Sequence, residues 1–145
     1  MWSGFRSKRG NSALEVGLLL PWMVFSFASV LDFGFAAYGL IATQNAARIA
    51  AMWGSATSAN ATSSNFASTA CQYALDSLKY APQVGTSVNS CGGTSPVAVT
   101  TATSAVGTLT TVQVTVTYTL KLLSIPGLMP GTIAISRTVQ LPVRN

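Results

Sequence analysis

The side chains that could do acid, base or nucleophilic chemistry are few in this chain of 145 residues. It has three carboxylates (Glu15, Asp32 and Asp76), two cysteines (Cys71 and Cys91) and no histidine. A Ser–His or Cys–His pair within the chain is therefore excluded, and Asp76 is the one acid well clear of a long apolar run. We expect no enzyme activity and no cofactor. We also expect no metal site, because two cysteines without histidine supply too few ligands.

Both cysteines follow the apolar run, and they are the natural partners of a disulfide. A Cys71–Cys91 bond would close a loop of about 20 residues and stabilise the fold by about 3 kcal/mol in the chain-entropy account. It would require an oxidising compartment. The alternative is two unrelated thiols.

The apolar run covers residues 16–42 and is interrupted by one charge, Asp32. A membrane span needs about 20 mostly apolar residues, so the run predicts a single transmembrane helix. Arg6, Lys8 and Arg9 precede it, which predicts a cytoplasmic N-terminus and an exported remainder. A cleaved signal peptide is the alternative: Phe35-Ala36-Ala37 would be its cutting region, but the run exceeds the usual apolar core of about 7–15 residues.

The helical pattern continues past the apolar run. Residues 44–53 are rich in alanine. The 3,4 spacing places five side chains on one face: Ala42, Ala46, Ile49, Ala50 and Trp53. We predict one helix over residues 12–53. At 1.5 Å per residue it would measure about 60 Å, roughly twice the hydrocarbon core of a bilayer. Its outer half must therefore pack against something outside the membrane.

The remaining sequence predicts a loop over 54–64 and a second helix over 65–80. It then predicts a short strand at 97–99 and two longer strands over 112–122 and 132–143. The apolar stripe of the second helix consists of Phe66, Ala70, Tyr73, Ala74 and Leu78. One face of the last strand carries Ile133, Ile135, Val139, Leu141 and Val143, with Arg137 intruding. The fold class is therefore α+β: a long apolar N-terminal helix, a short second helix and an antiparallel sheet of about three strands, one face of which needs a helix to cover it.

Glu15 and Asp32 are charges in an apolar setting, and each allows two interpretations. Glu15 is either an interfacial acid near the helix N-terminus or an assembly residue. In the second case a peptidase cuts after Gly10, Asn11 becomes an α-amino terminus, and Glu15 pairs with the ammonium of a neighbouring helix. Asp32 lies about 25 Å farther along the helix, where it is either an acid near the far interface or the partner of another group.

The formal net charge of +5 does not indicate nucleic-acid binding. Three of the eight cationic side chains lie in the first nine positions, and the other five are scattered singly. A surface that follows a phosphate backbone needs a clustered stripe of cations. Charged residues make up 8% of the chain, against about 25% in an average soluble domain, which fits a membrane helix joined to a Ser/Thr-rich exported part.

The first third of the chain resembles the TadE-like pseudopilins of tight-adherence (Flp-type) pilus systems, a branch of the type IV pilus superfamily. The matching pieces, in the family's order and spacing, are Arg9-Gly10-Asn11-Ser12-Ala13-Leu14-Glu15, Leu20-Pro21, Asp32-Phe33-Gly34 and Gln44-Asn45-Ala46-Ala47-Arg48. Two positions depart from the family pattern: Phe35 stands where a basic residue is frequent, and Val16 where an aromatic is frequent.

The resemblance implies a type IV pilin-like fold with three segments: a basic leader (1–10) removed by prepilin peptidase, the long helix (11–53), and a periplasmic or filament-surface α+β domain (54–145). It implies a noncatalytic minor pilin or assembly factor in the bacterial inner membrane. Its partners would be the peptidase, other pilin subunits, the assembly platform and membrane lipid, with Glu15 setting helix registration in the oligomer. The alternatives are a membrane-anchored or pilus-tip adhesin, and a single-span periplasmic protein without a filament role.

Overall fold

The structure, a computed structural model, describes residues 9–81, 84, 88–106, 109–122 and 131–144, with side chains from residue 13 onward. Three helices are followed by three strands: α1 (Arg9–Ser55), α2 (Ser58–Thr62), α3 (Phe66–Leu78), β1 (Val97–Val106), β2 (Leu109–Lys121) and β3 (Thr132–Pro142). The predicted α+β class is confirmed, with a long apolar N-terminal helix, a short helix and a three-stranded antiparallel sheet.

The chain divides into two compact units, residues 1–34 and residues 35–145. In the first, the structure describes only the N-terminal part of α1. The second contains the rest of α1, the two shorter helices and the sheet. The boundary after residue 53 inferred from the sequence stays a prediction, and residues 35–53 of α1 belong to the same compact unit as the sheet.

Strand β2 lies between β1 and β3, and both pairings are antiparallel. From Val112 to Leu120 every second side chain of β2 is buried and the intervening ones are partly exposed. This is the two-residue period of a sheet with one covered face. The register places Tyr118 opposite Ile135 and Val114 opposite Val139, so the predicted apolar side of β3 lies on the covered face.

Hydroxyl groups occupy much of the opposite, uncovered face of the sheet. Thr115 and Thr138 lie opposite each other with their hydroxyl oxygens 2.8 Å apart. Beside them, the Thr117 hydroxyl donates to Ser136 over 3.1 Å. These cross-strand hydrogen bonds tie β2 to β3 without charged groups.

Small side chains of α1 form the helical half of the core. The buried alanines of this helix are Ala42, Ala46, Ala47, Ala50 and Ala51, and they belong to one core cluster with the buried residues of β2. A Cβ atom on Gly39 would lie 3.1 Å from a methyl carbon of Ile135. Alanine and glycine therefore allow α1 to lie close to the sheet. Ile49, predicted to share the buried face, is largely exposed, because it lies at the margin of that face.

We expect Gly54→Ala to destabilise the unit formed by residues 35–145 by about 1–3 kcal/mol, the usual cost of overpacking a core. A Cβ atom there would lie 2.5 Å from the Phe66 ring and 3.1 Å from Val112. Urea unfolding of the full chain in neutral detergent, followed by tryptophan fluorescence, measures the change. The control Gly34→Ala meets no atom within 4 Å and should not destabilise. Equal loss of stability in both variants would contradict the close packing, and Phe66→Leu should restore part of the Gly54→Ala loss.

The segment 54–64, predicted to be a loop, contains the short helix α2 instead. Its Thr57 side chain accepts a hydrogen bond from the Asn60 backbone N–H over 3.2 Å, which caps the helix. The Asn60 side-chain amide donates to the Trp53 carbonyl over 3.1 Å, and Ala61 is buried. The prediction was wrong because these are capping and tertiary contacts that hydrophobic periodicity does not show.

Two other features differ from the sequence prediction: the buried face of α3 and the end of β1. In α3 the buried face includes Leu75 rather than Tyr73, whose side chain is exposed and lies against Trp53 with ring centroids 6.0 Å apart. Strand β1 continues to Val106 although its second half is made of Thr, Ala and Ser, because all ten of its residues pair with β2.

Candidate functional site

Large apolar side chains are exposed along the α1 segment within residues 13–34. Leu18 is 81% exposed and Phe33 is 77% exposed, and Trp22 and Val30 are similarly uncovered. Such a surface requires lipid or protein to cover it. The helix is long and apolar enough to cross a membrane, with a mean hydropathy of 1.8 in its best window. This agrees with the predicted span at the level of length and composition.

Glu15 is exposed on α1, and the helix begins at Arg9, with no acidic residue in its first turn. The attraction between a carboxylate and the helix dipole fades beyond that first turn. With residues 9 and 10 in the helix, Glu15 lies beyond the first turn, so the helix dipole stabilises its carboxylate little. A carboxylate flanked by Leu14 and Val16 on an apolar helix still needs a cation if lipid surrounds it.

Asp32 is half-buried and already has an interaction within the structure. It follows Glu15 on the same helix at a distance of about 25 Å, so the two acids do not form a carboxylate pair. Gly10 and Asn11 lie in the α1 backbone, and their side chains are outside the described residues. Arg6 and Lys8 also lie outside the described part. The processing and registration roles of these residues stay predictions.

Cys71 and Cys91 form a disulfide with their Cα atoms 5.9 Å apart. Both are partly buried and pack against the core cluster. The bond joins α3 to the segment that precedes β1. It therefore fixes the connection between the helical and sheet parts of the unit formed by residues 35–145.

The third acid, Asp76, accepts a hydrogen bond from the Lys79 ammonium over 2.8 Å on the exposed side of α3. This hydrogen bond and the opposite charge raise the pKa of Lys79. Burial raises the pKa of the Tyr118 phenol in the core. Within the described residues, no group of three or more His, Cys, Asp or Glu side chains could hold a metal ion.

Sequence reasoning noted Arg137 as an intrusion on an apolar strand face but did not assign it to a site. In the structure Arg137 is exposed and lines two neighbouring cavities of about 300 Å³ and about 320 Å³, and Leu40 of α1 also lines both. The cation in an otherwise apolar strand period was the available signal. The residues that surround Arg137 depend on which helix covers β3, and the sequence does not show which helix that is.

Comparison with protein-family models, curated proteins and solved structures gave no match. The resemblance to TadE-like pseudopilins therefore depends on the residues named above.

Proposed function

We propose that this protein is a noncatalytic pilin-like subunit or assembly factor of a tight-adherence, type IV-related pilus. One observation carries the proposal. Residues 13–34 of α1 form an apolar helical surface with Glu15 at its start, and residues 35–145 form a second compact unit. A subunit that polymerises through an apolar helix and presents a folded domain needs these two parts.

Processing would create the cation that Glu15 requires. Hydrolysis of the Gly10–Asn11 peptide bond leaves a carboxylate on Gly10 and an α-amino group on Asn11. This amino group has an ordinary pKa of about 7.7–8.0, so it is largely protonated at neutral pH. In an assembled array the ammonium of one helix pairs with Glu15 of its neighbour. Attraction between the two charges is much stronger in an apolar environment than in water.

The proposed location follows from the basic leader and the disulfide. Arg6, Lys8 and Arg9 precede the apolar helix, an arrangement that keeps the N-terminus cytoplasmic. The unit of residues 35–145 would then be exported from the inner membrane into the periplasm. A disulfide between Cys71 and Cys91 suits that oxidising compartment.

N-terminal sequencing of the protein purified from membranes should give a first residue of Asn11. The expected reason is cleavage after Gly10 by a prepilin peptidase, and Gly10→Leu should leave the leader attached because the larger side chain blocks the cutting site. Gly17→Ala is the matched control within the same helix and should be processed normally. A mature chain that retains Met1 contradicts the proposal. A chain that begins beyond Ala37 would identify an exported domain released from a signal peptide.

A further inference from the structure

A groove runs between α1 and the edge strand β3, entirely within the unit of residues 35–145. One end is a cavity of about 300 Å³ lined by Ala36 and Leu40 of α1 and by residues 133–137 of β3. The other end, of about 320 Å³, is lined by Leu40, Ile41, residues 44–45 and Arg137. Both cavities are open to solvent and share Leu40 and Arg137, so they adjoin each other and together make up the groove.

The apolar part of the groove on α1 belongs to the end of the apolar run of residues 16–42. Ile41 is 64% exposed, and Leu40 and Ile133 are each 38% exposed. Among the described strands, β3 pairs with β2 alone, so its other edge leaves this part of the surface uncovered. Apolar side chains arranged along a groove are suited to a flexible hydrocarbon chain.

Arg137 places a cation in this groove, and no described acidic side chain forms an ion pair with it. The β2–β3 register sets Arg137 opposite Val116, whose side chain is buried on the covered face. Within the described residues Arg137 makes no ion pair. The one acid in the sequence of residues 35–145 is Asp76, and it is bound to Lys79. The guanidinium is therefore available for an external anion, and its planar donors match phosphate well.

The order of apolar and cationic side chains along the groove matches a membrane interface. Helix α1 and strand β3 run in the same direction: Gly39 lies beside Ile135, and farther along the Arg144 N–H donates to the Ser55 carbonyl over 2.9 Å. Apolar residues therefore come first and Arg137 follows. Arg48 lies one helical turn beyond Gln44 on the same side of α1. Arginines placed just beyond an apolar segment contact the headgroup region of a bilayer.

We propose that this groove binds one anionic phospholipid, with an acyl chain against Leu40, Ile41 and Ile133 and the phosphate on Arg137. Arg48 adds a second positive charge on the headgroup side. The proposal depends on the membrane insertion of α1 described under the proposed function. It adds a ligand and a binding site that the pilin-like role does not require.

Native mass spectrometry of the full-length protein in neutral detergent tests the site. The probes are phosphatidylglycerol and phosphatidylcholine with identical acyl chains. We expect the unmodified chain to retain phosphatidylglycerol about fivefold more than phosphatidylcholine. Both lipids carry a phosphate, but only phosphatidylglycerol has a net negative charge, and one arginine near an anionic lipid contributes on that order. Arg137→Gln should remove most of this preference, and Arg48 accounts for what remains. Leu40→Ser should weaken retention of both lipids.

The matched control is Lys79→Gln, which removes one positive charge from an exposed pair outside the groove and should keep the preference. Circular dichroism and an intact disulfide verify that each variant is folded. Equal retention of the two lipids by the unmodified chain overturns the proposal, and so does equal behaviour of Arg137→Gln and Lys79→Gln. A lipid-free dimer that Arg137→Gln dissociates would also overturn it, because the groove would then be an interface between two copies.

The N-terminal sequence of the same sample separates this proposal from the pilin-like role. A chain that starts at Asn11 and shows no phosphatidylglycerol preference contradicts the lipid site alone. A chain that retains Met1 and prefers phosphatidylglycerol through Arg137 contradicts the pilin-like role alone.

Discussion

Replacing Glu15 with alanine is expected to abolish incorporation of the protein into filaments while leaving it in the membrane fraction. The substitution removes the proposed partner of the Asn11 ammonium on a neighbouring helix. Removing one member of a buried ion pair costs about 3–5 kcal/mol, which corresponds to more than a hundredfold in an association constant. The apolar surface of α1 is unchanged, so membrane insertion should persist.

The measurement is the amount of protein in sheared, sedimented filaments relative to the membrane fraction, determined by immunoblot. Asp76→Ala is the matched control, because it removes a carboxylate from an exposed surface pair and such pairs contribute little. Glu15→Gln should behave like Glu15→Ala if charge is the essential property. Normal filament content in the Glu15→Ala strain would exclude the assembly role and favour a single-span protein with no part in the filament.

Loss of the disulfide is the second large effect that we expect. The Cys71→Ser/Cys91→Ser variant should lose about 3 kcal/mol of unfolding free energy, because cross-linking two residues 20 positions apart restricts the unfolded chain. For a unit of this size the loss lowers Tm by roughly 10–15 °C. Thermal unfolding of the full chain in detergent, followed by circular dichroism, measures it.

Reductant provides the control for this second prediction. The unmodified chain treated with reductant should match the double variant, and reductant should not change the double variant further. If the double variant unfolds at the same temperature as the oxidised chain, the cross-link does not stabilise the fold. If reductant destabilises the double variant as well, the effect comes from the reagent and not from the Cys71–Cys91 bond.

The parts of the fold that follow local periodicity were predictable from sequence. Alternation from Val112 onward identified β2 and its covered face, and the apolar length of α1 identified the membrane-compatible helix. Alternation from Ile133 likewise identified β3 and its pairing with β2. In both strands burial repeats with the period of the backbone, so the residue types reveal the element and its inward side.

The features that depend on tertiary contact were not predictable. Helix α2 is held by the Asn60–Trp53 hydrogen bond, which joins residues from two elements. Tyr73 is 40% exposed and its ring lies against Trp53, an arrangement that the spacing along α3 does not reveal. Arg137 could be recognised as unusual in sequence, but its place in a groove requires knowing that α1 covers β3. The processing site at Gly10 and the assembly role of Glu15 remain predictions from sequence.

The outer face of the sheet has a consequence for how the protein responds to its surroundings. Thr115 and Thr138 on one pair of positions, and Thr117 and Ser136 on the next, present bonded hydroxyl groups instead of charges. Electrolytes weaken attraction between exposed charges and have little effect on contacts between uncharged groups. Contacts made through these hydroxyl groups should therefore depend little on ionic strength.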